Sequence, residues 1–153
     1  MIKIVAIGKI KEKEMQALIA EFQKRLKPIH VIEMIELPNS NKKENDINGI
    51  IQDESQRVLD KIDPRDHVVL LDLQGKDFTS PQMSEKLVDL IDHGKTVTFI
   101  IGGSHGVSDE IRQRANIRWR ISNLTFPHQL VRLMLYEQVY RMFMISKNHP
   151  YHK

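Results

Sequence analysis

Two stretches of the chain hold side chains whose types and spacing could do chemistry. Gly102-Gly103-Ser104-His105-Gly106 follows an apolar run and has the make-up of a ligand cradle. Glycines let the backbone approach a ligand closely, and a following helix N-terminus favours an anion. The spacing is not the dinucleotide fingerprint, which needs G-x-G-x-x-G after the first strand and an acidic residue about 20 positions on. No Walker lysine follows. Ser104 sits between Gly102 and Gly106 as in a nucleophile elbow, yet Asp109 is too close in sequence to supply the acid of a triad. The second stretch is the ending Asn148-His149-Pro150-Tyr151-His152-Lys153. An end of this kind is usually frayed. Its ring-bearing residues could instead stack on a base or accept a proton. His149 and His152 are three residues apart without a carboxylate cluster beside them, so no metal is expected.

Composition narrows the chemistry further. The 153 residues are 41% hydrophobic and 28% charged, which predicts one domain, 1–153, able to bury a core without a staple. The chain has no cysteine, which excludes thiol nucleophiles, Fe–S clusters, cysteine-zinc sites and disulfides. The start, Met-Ile-Lys-Ile-Val-Ala-Ile, lacks the pattern of a signal peptide, and no apolar run approaches the roughly 18 residues of a membrane span. A soluble cytoplasmic protein with no membrane partner is expected. The net charge of +3 is mild, but its distribution is uneven. From Arg112 onward the cations are Arg112, Arg114, Arg118, Arg120, Arg132, Arg141, Lys147 and Lys153, against the single carboxylate side chain of Glu137. A polyanion would meet this third of the chain first.

The elements that must position these residues alternate between strand and helix. Strands are predicted at Ile2–Ile7, Ile29–Leu37, Val68–Leu73, Val97–Ile101 and Ile117–Ser122. The third and fourth are near-continuous apolar runs, as in strands buried on both faces of a parallel sheet. Helices are predicted over Glu12–Leu26, from about Ile47 to Ile62, from Ser80 as N-cap with Pro81 first in the helix, from Ser108 to Ala115, and over Pro127–Ser146. The last has twelve apolar or aromatic residues among positions 128–145, too many for one buried face, so it is either a central core helix or packs one face on its own sheet and another on a second subunit, the expectation taken here. The order predicts a three-layer α/β/α domain with a mainly parallel sheet. Such sheets bind ligands beyond their strand C-termini. That points to Gln74-Gly75-Lys76, Gly102–Gly106 and Asn123-Leu124-Thr125-Phe126.

Four segments carry a resemblance to a known family. Leu71-Asp72-Leu73-Gln74-Gly75-Lys76, Phe99-Ile100-Ile101-Gly102-Gly103, Leu124-Thr125-Phe126-Pro127-His128-Gln129-Leu130-Val131-Arg132 and the ending Pro150-Tyr151-His152-Lys153 resemble the ribosomal RNA large subunit methyltransferase H family. The likeness covers the whole chain, and the pairing of T-F-P-H-Q-L-x-R with a terminal P-Y-H-K is highly specific. Many members have Arg-Gly-Glu before the final Pro-Tyr-His, where this chain has Lys147-Asn148-His149.

The resemblance implies a SPOUT-class enzyme with a C-terminal trefoil knot, which periodicity could not have indicated. It implies a homodimer acting on 23S rRNA of the ribosome, with S-adenosyl-L-methionine donating a methyl group to N3 of a pseudouridine. Carried onto this sequence, the cofactor residues are Leu71, Gly102, Gly103, Ile121, Ser122, Asn123, Leu124, Thr125 and Phe126. A side chain at Gly102 would take the space where the donor meets the backbone. His128, Tyr151 and His152 are implied in placing the base and removing its proton, and Arg132 in holding a phosphate or the developing uracil anion. The alternative is a non-catalytic RNA-binding assembly factor on the same fold, which would not need the donor.

Overall fold

A computed structural model describes all 153 residues. The elements alternate: β1 (Ile2–Ile7), α1 (Lys13–Leu26), β2 (Ile32–Leu37), α2 (Ile47–Leu59), β3 (His67–Asp77), α3 (Ser80–Asp92), β4 (Val97–Ile101), α4 (Asp109–Arg114), β5 (Ile117–Arg120) and α5 (His128–Ser146). The five strands form one sheet in the order β2-β1-β4-β3-β5, and every pairing is parallel. β1 and β4 have the predicted limits. The alternation of β1 divides its side chains between two cores. Ile2, Ile4 and Ala6 join Phe99 and Ile101 under α1, α3 and α5, whereas Val5 and Ile7 join Leu70 and Ile100 with Val58 of α2 and Ile111 of α4. The one charge in β1 is paired: Lys3 Nζ lies 2.6 Å from Asp66 Oδ2.

Helix α2 and strand β5 stop at Leu59 and Arg120, short of the expected Ile62 and Ser122, and α1 and α5 each start one residue later than expected. Three further boundaries differ for a local reason. The α3 N-cap is Thr79, one residue earlier than Ser80. Its hydroxyl accepts from the Gln82 amide while the Gln82 side chain accepts from the Thr79 amide, a reciprocal capping box. β2 begins at Ile32, because the amides of Ile29 and His30 still bond back to Leu26. β3 runs on through Asp77, so the predicted loop Gln74-Gly75-Lys76 is the far side of a bulge. Leu71 and Lys76 both pair with Trp119, and the residues between them are thrown out of the ladder.

The C-terminus is not frayed. The α5 helix ends with Asn148 at φ 53°, the left-handed conformation that asparagine tolerates. The amides of Asn148 and His149 then bond to the carbonyls of Ile145 and Met144. This is a Schellman-type reversal. It lays Pro150–Lys153 back along α5, where the Tyr151 ring meets Tyr140 edge-on at 4.9 Å. Part of the apolar girth of α5 is therefore covered within the chain, by α1, α3 and this tail.

Candidate active site

The C-terminal ends of β3, β4 and β5 converge on one cleft. Its walls are the β3 bulge from Leu71 to Gln74, the loop after β4 from Gly102 to Val107, and Thr125–His128 leading into α5. The volume is about 670 Å³, within the range of roughly 300–1,000 Å³ usual for small-molecule sites. A smaller cavity of about 110 Å³ adjoins it, shares Leu71, Leu73, Thr125, Phe126 and Val131, and adds Trp119, Ile121 and Leu124. Leu73 and Leu124 are 54% and 66% exposed at its mouth, an unusual cost for large apolar side chains unless something covers them.

Two glycines keep the loop after β4 closely packed. A Cβ on Gly102 would lie 2.6 Å from Cγ1 of Val107, and one on Gly103 would lie 2.5 Å from the buried Glu54 carboxylate. A side chain at Gly102, which lines the cleft, would thus meet Val107 first. The loop closes on itself through the Gly106 amide, which donates to the Gly103 carbonyl at 3.1 Å.

The bulge is organised by Asp72. Its Oδ1 accepts from the Gln74 amide at 2.9 Å, and its Oδ2 takes Nε and Nη2 of Arg118 at 2.8 and 2.7 Å. Further along β5, Arg120 grips Asp77 through two bonds of 2.7 and 2.6 Å. Those bonds hold the Asp77 carboxyl below its ordinary range. Together the two ion pairs pin the bulge to β5.

Most residues implied by the resemblance meet at this place. Leu71, Gly102, Gly103, Ile121, Ser122, Leu124, Thr125, Phe126 and His128 line the cleft or the cavity. Asn123 does not; its side-chain oxygen accepts from Arg120 at 2.9 Å. Arg132 is 3% exposed; its Nη1 pairs with Glu36 and its Nη2 bonds to the Gly8 carbonyl at 2.9 Å, tying α5 to the ends of β1 and β2, while Nε is buried without a partner. Tyr151 donates to Glu137 at 3.0 Å, and His152 Nδ1 meets Arg141 at 3.1 Å. At about 1.5 Å of rise per residue, Glu137 and Arg141 stand roughly 13 and 20 Å along the helix from His128. One chain does not bring its tail to its own cleft. Asp72, Trp119 and Arg112 are cleft residues that sequence reasoning missed; only the position of Asp72 at a strand end gave a signal.

A cleft built from strand-end loops of a parallel sheet is where open α/β folds bind their ligands. Comparison with known proteins names the class: residues 1–152 match the family described as "Predicted SPOUT methyltransferase". Relatives called ribosomal RNA large subunit methyltransferase H include a protein from Desulfitobacterium hafniense, 52% identical over 99% of this chain and 98% of its own length. Others come from Bacillus pumilus and Streptococcus pneumoniae, at 45% and 44% identity over 99% of both chains. The chain belongs to the SPOUT methyltransferases and, within them, to the ribosomal RNA large subunit methyltransferase H family. No helix is long and apolar enough to cross a membrane, and no group of three or more metal-ligating side chains occurs.

Proposed function

We propose that the protein methylates large-subunit ribosomal RNA with S-adenosylmethionine as donor, transferring the methyl group to N3 of a pseudouridine in the bacterial cytoplasm. The observation that carries this reading is the single cleft formed by the bulge, the glycine loop and the approach to α5. With its adjoining cavity it is lined by eight of the nine residues that the family resemblance implies for the donor, all but Asn123. The site fits such a molecule. The small cavity is mostly apolar, and the indole N–H of Trp119 at its wall is buried without a partner. A buried donor of this kind calls for an acceptor, which a heteroaromatic ring nitrogen supplies.

The donor brings a methyl group already activated by its sulfonium charge. The protein has to align it with the acceptor, exclude water and take up a proton. Leu71, Leu73, Ile121, Leu124 and Phe126 exclude water on one side. His128, at the first turn of α5, brings an imidazole to the cleft; that turn has no side-chain cap, so its amides are free for a ligand. Tyr151 is a neutral phenol at neutral pH, as any tyrosine is, and burial and its bond to Glu137 push its pKa further up. It therefore places a base by hydrogen bonding, and the proton passes to His128 or His152.

The distance along α5 requires a homodimer for this scheme, in which Tyr151 and His152 of one copy serve the cleft of the other. Exposed Leu18 on α1, beside α5, adds to the surface that a second copy would cover. Light scattering at micromolar concentration should give twice the chain mass, and a monomer would remove the tail from the mechanism.

The decisive experiment supplies methyl-labelled donor with free rRNA, isolated large subunits or assembled ribosomes, followed by nuclease digestion and mass spectrometry. Label on a pseudouridine base is expected. Label on another nucleotide, or on none of the three substrates, overturns the reading.

A further inference from the structure

We propose that Arg112 anchors the carboxylate of the donor's amino-acid tail. The assignment rests on the donor reading above. Arg112, on α4, is the only lysine or arginine among the residues lining the cleft and its adjoining cavity. Its guanidinium is under-used. Nε is buried and has no hydrogen-bond partner. The nearest carboxylate oxygen to Nε, Asp72 Oδ2, is 3.9 Å away and is already engaged by both Arg118 bonds. Nη1 reaches Asp109 at 3.1 Å, but that carboxylate is 90% exposed and holds its partner only weakly. Nη2 makes no bond and lies 3.9 Å from where a Cβ on Gly106 would stand. Gly106 has φ +91°, so the wall beside this nitrogen is bare backbone that an L side chain would rarely occupy.

A buried guanidinium edge with spare donors, set in the wall of a glycine-faced cleft whose one carboxylate, Asp72, is held by Arg118, is suited to an oxyanion. S-adenosylmethionine carries one, the carboxylate at the end opposite the adenine. It also carries two cationic centres, the sulfonium and the ammonium. A lone fixed cation therefore sets the direction of binding: it draws the carboxylate and repels the sulfonium. The adenine end is then left to the apolar cavity, which has no cation at all.

Calorimetry with two uncharged-sulfur analogues tests this without any turnover. S-adenosylhomocysteine has the amino-acid tail; 5′-methylthioadenosine keeps the adenosine and sulfur but lacks the tail. For Arg112→Gln, S-adenosylhomocysteine should bind about 10- to 100-fold more weakly, as expected for loss of a charge-assisted bond. Binding of 5′-methylthioadenosine should stay unchanged, which also shows that the cleft is intact. Arg112→Lys, with the charge but not the fork, should fall between. Equal losses for both ligands would assign Arg112 to the architecture of the cleft, and no loss for S-adenosylhomocysteine would leave it without a role in binding; either result overturns the proposal. If the unaltered protein bound neither ligand, the donor reading would fall first and this assignment with it.

Discussion

Tyr151 donates its phenol proton to Glu137 Oε1 at 3.0 Å, and the same oxygen receives Nε and Nη2 of Arg141. The Arg141 guanidinium in turn lies 4.9 Å above the Tyr151 ring. The last residues of the chain are thus a folded element held by a carboxylate on α5. Their chemistry is presented from a fixed position.

Removing residues 150–153 should abolish methyl transfer while leaving donor affinity nearly unchanged. The cleft walls come from residues 71–131, and none from the tail. Tyr151→Phe should keep the ring packing and lose about 1 kcal/mol of stability with the hydrogen bond. Ribosomes methylated at the full-length rate by the truncated protein would show that the tail is structural only, and a collapse of donor affinity would move it into the cofactor site.

Arg132→Ala should destabilise the protein by roughly 3 kcal/mol, because it strands Glu36 and the Gly8 carbonyl together. Glu36 is partly exposed, which keeps the cost at the lower end for a broken buried pair. Urea denaturation measures it. A variant of wild-type stability that lost only its activity would return Arg132 to the substrate.

A Cβ at Gly75 would come within 2.5 Å of the Arg118 carbonyl oxygen and 2.9 Å of the Trp119 amide, both of them backbone. Neither neighbour can swing away. Gly75→Ala should therefore lift the bulge off β5, lower the melting temperature and weaken donor binding together. Calorimetry and a thermal melt on the same sample would expose any separation of the two effects, which would contradict the coupling.

Burial lowers the pKa of both His30 and His67 below 6.5. Below that pH the unfolded chain binds protons on these rings that the folded protein refuses. Their contribution to stability is complete above pH 6.5 and is lost as the pH falls towards the folded values. The melting temperature should therefore drop between pH 7.5 and 5.5, where the lowered carboxyls of Asp63 and Asp77 do not yet titrate. His30→Phe, which keeps a ring against Phe143, should show a smaller drop. An equal slope in the variant would remove His30 from the account.

The strands β1 and β4 were legible to the residue because both are short apolar runs ended by glycine, a pattern that burial on two faces produces. The strand-end rule led to the glycine loop and to residues 124–126, but of Gln74-Gly75-Lys76 only Gln74 lines the cleft. The bulge in β3 was not legible: Leu71 and Lys76 share one partner on β5, and pairing partners are not written in local sequence. The true α3 cap was legible, since Thr79-Ser80-Pro81-Gln82 has capping-box spacing that outranks a serine before proline. Asn148 after a long helix was likewise a turn signal for the tail. The burial of Arg132 was out of reach, because Glu36 lies 96 positions away.

The sheet order places β5 beside β3 rather than beside β4, its nearest strand in sequence. This sets a timetable for synthesis. A chain emerging from the ribosome can pair β1 with β2 early, but the cleft stays open until β5 has passed β4 and zipped onto β3. The wall from Thr125 to Val131 comes later still. The cleft is therefore complete only once α5 has begun to form, and a nascent or truncated copy that ends before α5 would lack the site proposed for the methyl donor.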